Sequence, residues 1–440
     1  MAQACTARYR ARNPRAAPLY RLFESHFDEV KGQWEERFER RYGFWRGVVD
    51  DQVRRYLDCG LFENGFARIQ CPGCHAEHLL AFSCKTRDLC PSCAAKRGAA
   101  TAALLADEIL EEVGHAQWVF VMPKMLRPYF LHHRALLGGL ARAAWETVLA
   151  LMVTAAGDET LRPGMVSVVQ KAGDLANWHP HVHALVSRGG WTHGGEWVPI
   201  PYVDERAAEL LFRHEVIRLL QDEGLLSDER TQLLLSWRHT GFSVHNRVRV
   251  DQGDTSSLER LGRYILRPPI CLERMSWDHA GDVRYRRKPG HDRMPRHHRD
   301  SIEAFDPADF LARVIMHIPD PRRHLVRYYG WYSNVSRGHR RRALEDRPSA
   351  NVDRAPSLML EEAQARSPEA RALRRSWAEM IKRVHEIDPL VCRECGSEMK
   401  IIAFIIDHSV VDKILRHLKR REEDGRGRGP PGRSERQAVS

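Results

Sequence analysis

The spacing of apolar and polar residues predicts alternating helices and strands along most of the chain. Helical spacing of apolar residues covers residues 22–57, 101–113, 135–154 and 204–222. Short apolar or alternating runs over residues 117–123, 165–170 and 241–250 are typical of strands. This order of elements predicts an α+β fold in which helices flank a central antiparallel sheet.

Residues 177–186 form the most informative of these strand-like runs. Side chains alternate between the two faces of a strand, so His181 and His183 project from one face. Val182 and Ala184 then point to the opposite face, where we expect an apolar core. Two neighbouring imidazoles on one strand are suited to bind a metal ion together.

A tyrosine on a predicted helix supplies a candidate nucleophile. Leu258, Leu261 and Ile265 recur at helical spacing, and a Pro pair at 268–269 ends the helix near residue 267. Tyr264 lies at the edge of this apolar stripe. A phenol needs a metal ion or a base to become a good nucleophile, and nearby arginines favour the phenolate and bind phosphate. The arginines around it are Arg260, Arg263 and Arg267.

The histidine pair needs further ligands and an open position for a phosphate. Gln170, at the end of the preceding apolar run, is the first candidate for a third ligand, and Asp174 and His179 are the alternatives. Imidazole and amide oxygen together suit Mg²⁺ or Mn²⁺, and the imidazoles favour manganese.

Cysteine spacing predicts a structural zinc site near the N-terminal end. Two Cys-x-x-Cys pairs separated by fifteen residues predict one four-thiolate site made by Cys71, Cys74, Cys90 and Cys93. A different quartet or a second zinc stays open, because further donors lie nearby at Cys59, His75, His78 and Cys84. A basic surface on this module predicts DNA contact through Lys85, Arg87, Lys96 and Arg97.

A third Cys-x-x-Cys pair, Cys392 and Cys395, resembles half of a zinc ribbon, and no second pair follows it. His385 or His408 could complete a site there, and a turn without metal is equally compatible.

Length and charge constrain the class of protein. A chain of 440 residues with a formal net charge of +11 predicts several domains and a polyanionic partner. The absence of an apolar run of 18 residues argues against a membrane partner, and the first residues lack a secretory signal, so a cytoplasmic, nucleoid-associated location is expected. Cysteines in such a chain indicate zinc and not disulfides.

Composition also suggests the domain boundaries. The predicted order is a helical region (1–58), a zinc-binding module (59–100), a catalytic domain (105–336), a linker (337–375), a segment with the third cysteine pair (376–412), and a basic, disordered tail (413–440). A helix is also predicted around residues 372–384.

The His-Val-His strand, the Tyr264 segment, the cysteine-rich block and the run 326–334 together resemble the HUH class of single-strand nucleases. In order and spacing they are similar to rolling-circle transposases of the insertion sequence ninety-one family. The resemblance implies that Tyr264 attacks a DNA phosphate to form a 5′-phosphotyrosine, assisted by a metal on His181 and His183. It also implies single-stranded DNA of transposon ends and target as the partner, and leaves a homo-oligomer open.

The chain departs from the founding members of that family, which carry two tyrosines one helical turn apart. Arg260 and Pro268 stand four residues before and after Tyr264, so a single-tyrosine variant is predicted. A second nucleophile among Tyr328, Tyr329 and Tyr332 is disfavoured. Two other functions stay open: a non-catalytic zinc-dependent DNA-binding protein derived from a transposase, and a phosphoesterase in which water attacks.

Overall fold

The computed structural model describes residues 13–278, 281–287, 301–345, 390–392 and 394–425. Its N-terminal part contains α1 (Pro18–Gly32), α2 (Glu39–Tyr42), α3 (Val48–Leu57), β1 (Phe66–Gln70), β2 (Glu77–Ala81) and α4 (Pro91–Leu104). The helical pattern predicted over residues 22–57 is therefore three helices. A π-helical segment, Trp34–Phe38, follows α1, and Gly43 ends α2 with a φ of 84° that favours glycine.

The middle of the chain supplies most of the large sheet and the helices beside it. In chain order these elements are β3 (His115–Val121), α5 (Arg127–His132), α6 (Leu136–Ala156), β4 (Arg162–Ala172), β5 (Trp178–Trp191), β6 (Trp197–Pro199), α7 (Glu205–Asp222), α8 (Asp228–Ser236), β7 (Ser243–Val250) and α9 (Thr255–Ile265). The predicted strands at 117–123, 165–170 and 177–186 all lie in this sheet.

The remaining described elements are shorter. They are β8 (Met275–Ser276), β9 (Val283–Arg286), β10 (Ile302–Phe305), α10 (Pro307–Ile315), β11 (Val326–Gly330), α11 (Asn334–Glu345), β12 (Lys400–Ile405) and α12 (His408–Gly425). Helix α11 occupies the start of the region predicted as a linker. The predicted helix at 372–384 lies outside the described residues.

The large sheet is antiparallel, with strand order β11-β4-β5-β3-β7 and β6 paired to β5. Helices flank it, so the fold is α+β as predicted. One face packs on α6 and α7 through residues such as Val182, Ala184 and Phe212. The other face packs on α9 through Val168, Leu185 and their neighbours. The alternation predicted for β5 therefore separates an apolar face from the face that carries the histidines.

Among the described residues, α6 is the one helix that by length and composition could span a membrane. Its apolar residues Leu140, Ala144 and Val148 are buried in the cluster between the sheet and α7. The packing makes α6 a core helix.

A second apolar core joins the N-terminal helices to a small sheet of order β10-β9-β8. Phe23 of α1, Val53 of α3, Tyr285 of β9 and Phe310 of α10 are fully buried in it. A third sheet, of order β12-β1-β2, pairs a strand close to the C-terminal end of the chain with the N-terminal module. The segment predicted as separate therefore shares a sheet with residues 66–81.

Candidate active site and cysteine clusters

Strand β5 presents a row of imidazoles on the face opposite the α6 core. Ring centroids of His179 and His181 are 5.0 Å apart, and those of His181 and His183 are 4.9 Å apart. His181 and His183 are both buried, at 9% and 4% exposure. The predicted pair therefore lies side by side on the central strand. Hydrogen bonding of β5 to β3 on one edge and to β4 on the other fixes the direction in which both side chains point.

Hydrogen bonds orient both rings. Nδ1 of His181 donates to the carbonyl oxygen of His179 at 2.7 Å, which leaves the lone pair on its Nε2. Nδ1 of His183 lies 2.9 Å from the side-chain amide nitrogen of Gln117 on β3. Metal-binding histidines commonly donate a hydrogen bond from the second ring nitrogen, as His181 does. Gln117 is 6% exposed and belongs to the site, although the sequence analysis did not single it out.

Tyr264 lies against this row. Its ring centroid is 5.8 Å from that of His183, with the rings nearly perpendicular at 83°. The tyrosine is 43% exposed, so a strand of DNA can reach it from solvent. The guanidinium carbon of Arg267 lies 4.4 Å from the Tyr264 ring centroid. The predicted histidines and tyrosine, far apart in sequence, are therefore brought together.

The position of Tyr264 depends on close packing between α9 and α4. Leu258 and Ile265 bury the apolar stripe of α9, as its spacing predicted. On the side facing α4, a Cβ added at Gly262 would meet the Cβ of Ala102 at 3.1 Å, tighter than an ordinary contact. Glycine thus allows the two helices to approach closely. Because α4 starts within the cysteine-rich module, that module supports the helix that carries the tyrosine.

Gln170 is paired directly with His181 in the register of β4 and β5, so both side chains occupy one face. Its amide nitrogen donates to the carbonyl oxygen of Ile265 at 2.8 Å, at the end of α9. Asp174, an alternative ligand, is instead ion-paired with Arg274 at 2.7 Å and lies 3.8 Å from Arg287. Of these two candidates, Gln170 shares the strand face of His181, whereas Asp174 is held by arginines.

The predicted DNA-binding arginines of α9 differ in their surroundings. Arg263 forms an ion pair with Glu259 at 2.7 Å, and Arg260 donates to the hydroxyl of Ser257 at 2.6 Å. Arg267 lies over the Tyr264 ring. The guanidinium groups of Arg260 and Arg263 are thus bonded to side chains of their own helix, whereas that of Arg267 lies against the tyrosine.

The basic residues of the zinc module are partly used within the protein. Arg87 donates to the carbonyl oxygens of Arg323 and Asp320, and Arg97 donates to the carbonyl oxygen of Lys85 at 2.7 Å. Arg87 thereby attaches the module to the turn before β11. Lys85 is exposed, at a left-handed φ of 54°.

Eight of the nine cysteines among the described residues form two groups, and within each group the sulfur atoms all lie within 4.8 Å of one another. The first group is Cys59, Cys84, Cys90 and Cys93. The second group is Cys71, Cys74, Cys392 and Cys395. The predicted quartet of Cys71, Cys74, Cys90 and Cys93 is wrong as a grouping, because its two pairs belong to different clusters.

The β1–β2 hairpin explains this separation. Cys71 and Cys74 lie in its turn, directly after Gln70, whereas Cys84 follows the open end, where Phe66 pairs with Ala81. Five residues of strand separate the two ends by about 16 Å. Cys90 and Cys93 lie at the open end, so they join Cys84 and not the turn.

The aromatic side chains at the two ends of β5 and just after β11 lie mostly in the core, where they cannot stack on DNA bases. Trp178 and Trp191 are 9% and 6% exposed. Tyr332 is fully buried, and its hydroxyl hydrogen-bonds to Nε2 of His115 at 2.8 Å. Burial raises the pKa of the Tyr332 phenol, the opposite of what a nucleophile requires. Trp331 is half-buried and lies stacked between Trp191 and the guanidinium of Arg340.

Comparisons with known proteins identify the class of protein to which the chain is similar. A family model described as "Putative transposase" matches residues 164–340, from β4 to α11, and one described as "Transposase zinc-binding domain" matches residues 29–122. The chain is 26% identical over 388 residues to the transposase for insertion sequence element IS801 of Pseudomonas savastanoi pv. phaseolicola, covering 82% of this chain and 85% of that protein.

A second relative is "Putative transposase y4qJ" of Sinorhizobium fredii, 28% identical over 288 residues, which covers 60% of this chain and 69% of that protein. No solved structure matches the chain significantly. These matches identify the chain as a DNA transposase with a zinc-binding domain near its N-terminal end. The chain belongs to the insertion sequence ninety-one family of these enzymes. The matched zinc-binding domain and the cysteine clusters support structural zinc.

Proposed function

We propose that this transposase nicks and rejoins single-stranded DNA at the ends of its element through a covalent bond between DNA and Tyr264. The observation that carries the proposal is the contact between the Tyr264 ring and the imidazole row of β5, at 5.8 Å from His183. One partly open site thus contains the nucleophile, the candidate imidazole ligands and the guanidinium of Arg267, which lies over the phenol ring.

The donor set fits a divalent cation. His181 would hold it through Nε2, because its Nδ1 donates a proton to a carbonyl oxygen. His183 faces the amide nitrogen of Gln117, and turning that amide over would let its oxygen accept from Nδ1 and free Nε2 of His183 for the cation. Gln170 would add its amide oxygen, the atom that its bond to Ile265 does not use. Nitrogen and oxygen ligands of this kind suit Mn²⁺ or Mg²⁺. When bound, the cation would stabilise negative charge on the oxygens of the scissile phosphate.

The residues of the chain then perform a transesterification. The phenol oxygen of Tyr264 attacks phosphorus and loses its proton, the bond to the 3′ oxygen breaks, and that oxygen leaves as a 3′-hydroxyl. Arg267, whose guanidinium lies over the ring, attracts the phosphate to the phenol. The 5′-phosphotyrosine ester keeps the energy of the phosphodiester, so another 3′-hydroxyl can reverse the step and join strands without ATP.

Single-stranded DNA is the substrate that this site accommodates. Tyr264 lies at the end of a helix, partly buried against β5, so the target phosphate must come to within a side chain's reach of the sheet. A flexible strand can bend into such a site, whereas a duplex holds its phosphates on a stiff surface. A duplex version of the same end sequence is therefore expected to react far more slowly.

The test uses the full-length, zinc-loaded protein with Mn²⁺ and an oligonucleotide from the element's end, labelled at its 3′ end. The expected product is a protein–DNA species that survives denaturation and carries the label, because the 5′ phosphate of the downstream fragment stays on the tyrosine. Tyr264→Phe should abolish it and His181→Ala should reduce it strongly. Tyr202→Phe, which changes an exposed tyrosine outside the site, is the matched control.

Three results would contradict the proposal. An adduct that persists at wild-type level in Tyr264→Phe would assign the nucleophile to another residue. Cleavage without any adduct, unchanged in Tyr264→Phe, would indicate attack by water, and DNA binding without cleavage would indicate a protein that has lost its activity.

A further inference from the structure

The turns at Cys71 and Cys392 have the same backbone hydrogen bonds. The amide of Cys71 donates to the carbonyl of Ala76 at 2.9 Å, and the amide of His75 donates to the carbonyl of Cys71 at 3.0 Å. The second turn repeats both bonds: Cys392 donates to Ser397 at 2.9 Å and Gly396 donates to Cys392 at 3.0 Å. Each donor and acceptor is separated by the same number of residues in both turns.

The backbone conformation after each cysteine pair is also shared. His75 has a φ of 59° and Gly396 a φ of 74°, so both occupy the left-handed region that residues rarely adopt. A non-glycine residue held there needs a compensating interaction. Two turns of this kind, each aiming two sulfur atoms at one point, are the two halves of a zinc ribbon.

The sulfur positions fit one tetrahedral ion. Cys71 and Cys395 have their sulfur atoms 3.4 Å apart, as do Cys74 and Cys392. Zinc–sulfur bonds of about 2.3 Å in a tetrahedron place sulfur atoms about 3.8 Å apart, close to this spacing. Each contact therefore joins one cysteine of the first turn to one of the second, across more than 300 residues of sequence.

The packing around this cluster is too small to hold the two turns together by itself. The buried residues there are Ile69, Cys71, Cys392 and Met399. Partly buried Ala76, Leu80, Leu390 and Ile401 pack against them, and a core this small gains much of its stability when a metal ion joins its two halves. The strands beside it nevertheless pair fully, with β1 between β2 and β12.

We propose that Cys71, Cys74, Cys392 and Cys395 bind a second structural zinc ion, in a ribbon whose halves come from opposite ends of the chain. This ion is distinct from one held by Cys59, Cys84, Cys90 and Cys93. It fixes β12 and α12 to the N-terminal module, and the whole catalytic domain lies in the loop of chain between its ligands.

Metal counting on the purified full-length protein tests the proposal. Wild type should carry two zinc ions per chain, and Cys392→Ser/Cys395→Ser should carry one. Cys271→Ser, which removes a cysteine outside both clusters, is the matched control and should keep two. One zinc in wild type, or two in the double variant, would overturn the proposal.

Hydrogen exchange separates loss of this site from general unfolding. Because β1 is hydrogen-bonded to β12 on one side, amides of residues 66–70 should exchange faster in the double variant. Amides of residues 178–191 in the central sheet should exchange as in wild type. Unchanged protection of residues 66–70 would contradict the role of zinc in holding β12, even if one ion were lost.

Discussion

A buried ion pair between Lys171 and Asp88 joins the zinc module to the catalytic sheet, and its removal yields a quantitative prediction. Nζ of Lys171 donates to Asp88 Oδ2 at 2.8 Å and to the carbonyl oxygen of His317 at 2.7 Å. The Lys171 side chain is 5% exposed and that of Asp88 is 21% exposed. Burial lowers the pKa of the Lys171 ammonium, and the Asp88 carboxylate opposes that shift. Lys171 directly follows Gln170 of the proposed metal site.

Asp88→Asn isolates the charge, because asparagine also tolerates the left-handed φ of 60° found at this position. Removal of one partner of a buried pair costs about 3–5 kcal/mol, because the other charge stays in a poorly solvated place. Since Asp88 retains some contact with water, we expect a loss of about 3 kcal/mol in the free energy of unfolding. Lys171→Met leaves only the more exposed Asp88 unpaired, so it should cost less, about 1–2 kcal/mol.

The double variant Asp88→Asn/Lys171→Met removes both charges and should be more stable than Asp88→Asn alone. Denaturant unfolding of the zinc-loaded proteins, followed by tryptophan fluorescence, gives the four free energies of the cycle. The coupling between the two changes should be about 2 kcal/mol. Additive effects, or a Lys171→Met variant that is less stable than Asp88→Asn, would refute the reasoning.

Three further predictions concern other parts of the fold. Burial lowers the pKa of His317 to about 3, below its usual 6.5. As pH drops, the unfolded chain therefore takes up this proton at a higher pH than the folded protein does, and the free energy of unfolding falls between pH 6.5 and about 3. Between pH 7 and pH 5 the free energy of unfolding of wild type should fall by about 2 kcal/mol more than that of His317→Gln, as thermal unfolding at each pH would show. Equal losses in the two proteins would contradict this. Gly262→Val should force α9 away from Ala102 and slow adduct formation about 10- to 100-fold with zinc content unchanged, as single-turnover kinetics would show. Tyr332→Phe should lower the free energy of unfolding by about 1 kcal/mol, because the hydrogen bond to His115 is lost. The adduct yield should stay at the wild-type level, and loss of the adduct would indicate a second nucleophile.

The sequence predicted those parts of the site that follow from local periodicity. Alternation along β5 placed His181 and His183 on one face because strand geometry has a period of two residues. Helical spacing placed Tyr264 at the edge of α9 in the same way. Their proximity came from the resemblance to a known family, since no spacing along the chain relates β5 to α9.

Other parts depend on contacts between distant segments, which local patterns do not encode. Gln117 was missed because a single polar residue in an apolar strand carries no signal of its own. Its contact with His183 depends on the register of β3 against β5, which local sequence does not specify. Cysteine spacing revealed pairs but not which pairs meet. The partner of Cys71 and Cys74 lies beyond the whole catalytic domain, and the hairpin that separates them from Cys90 and Cys93 was not part of the pattern.

The central position of β5 has a consequence for which in-frame changes the gene can tolerate. Loss of one codon in β5 ahead of His181 would exchange the two faces of the rest of the strand, and Val182 would stand where His181 now points. The imidazoles would then enter the apolar layer against α6. The exposed turn at residues 193–195, by contrast, can change length without altering that alternation. Natural length variation among functional copies should therefore fall in the turn and spare the strand.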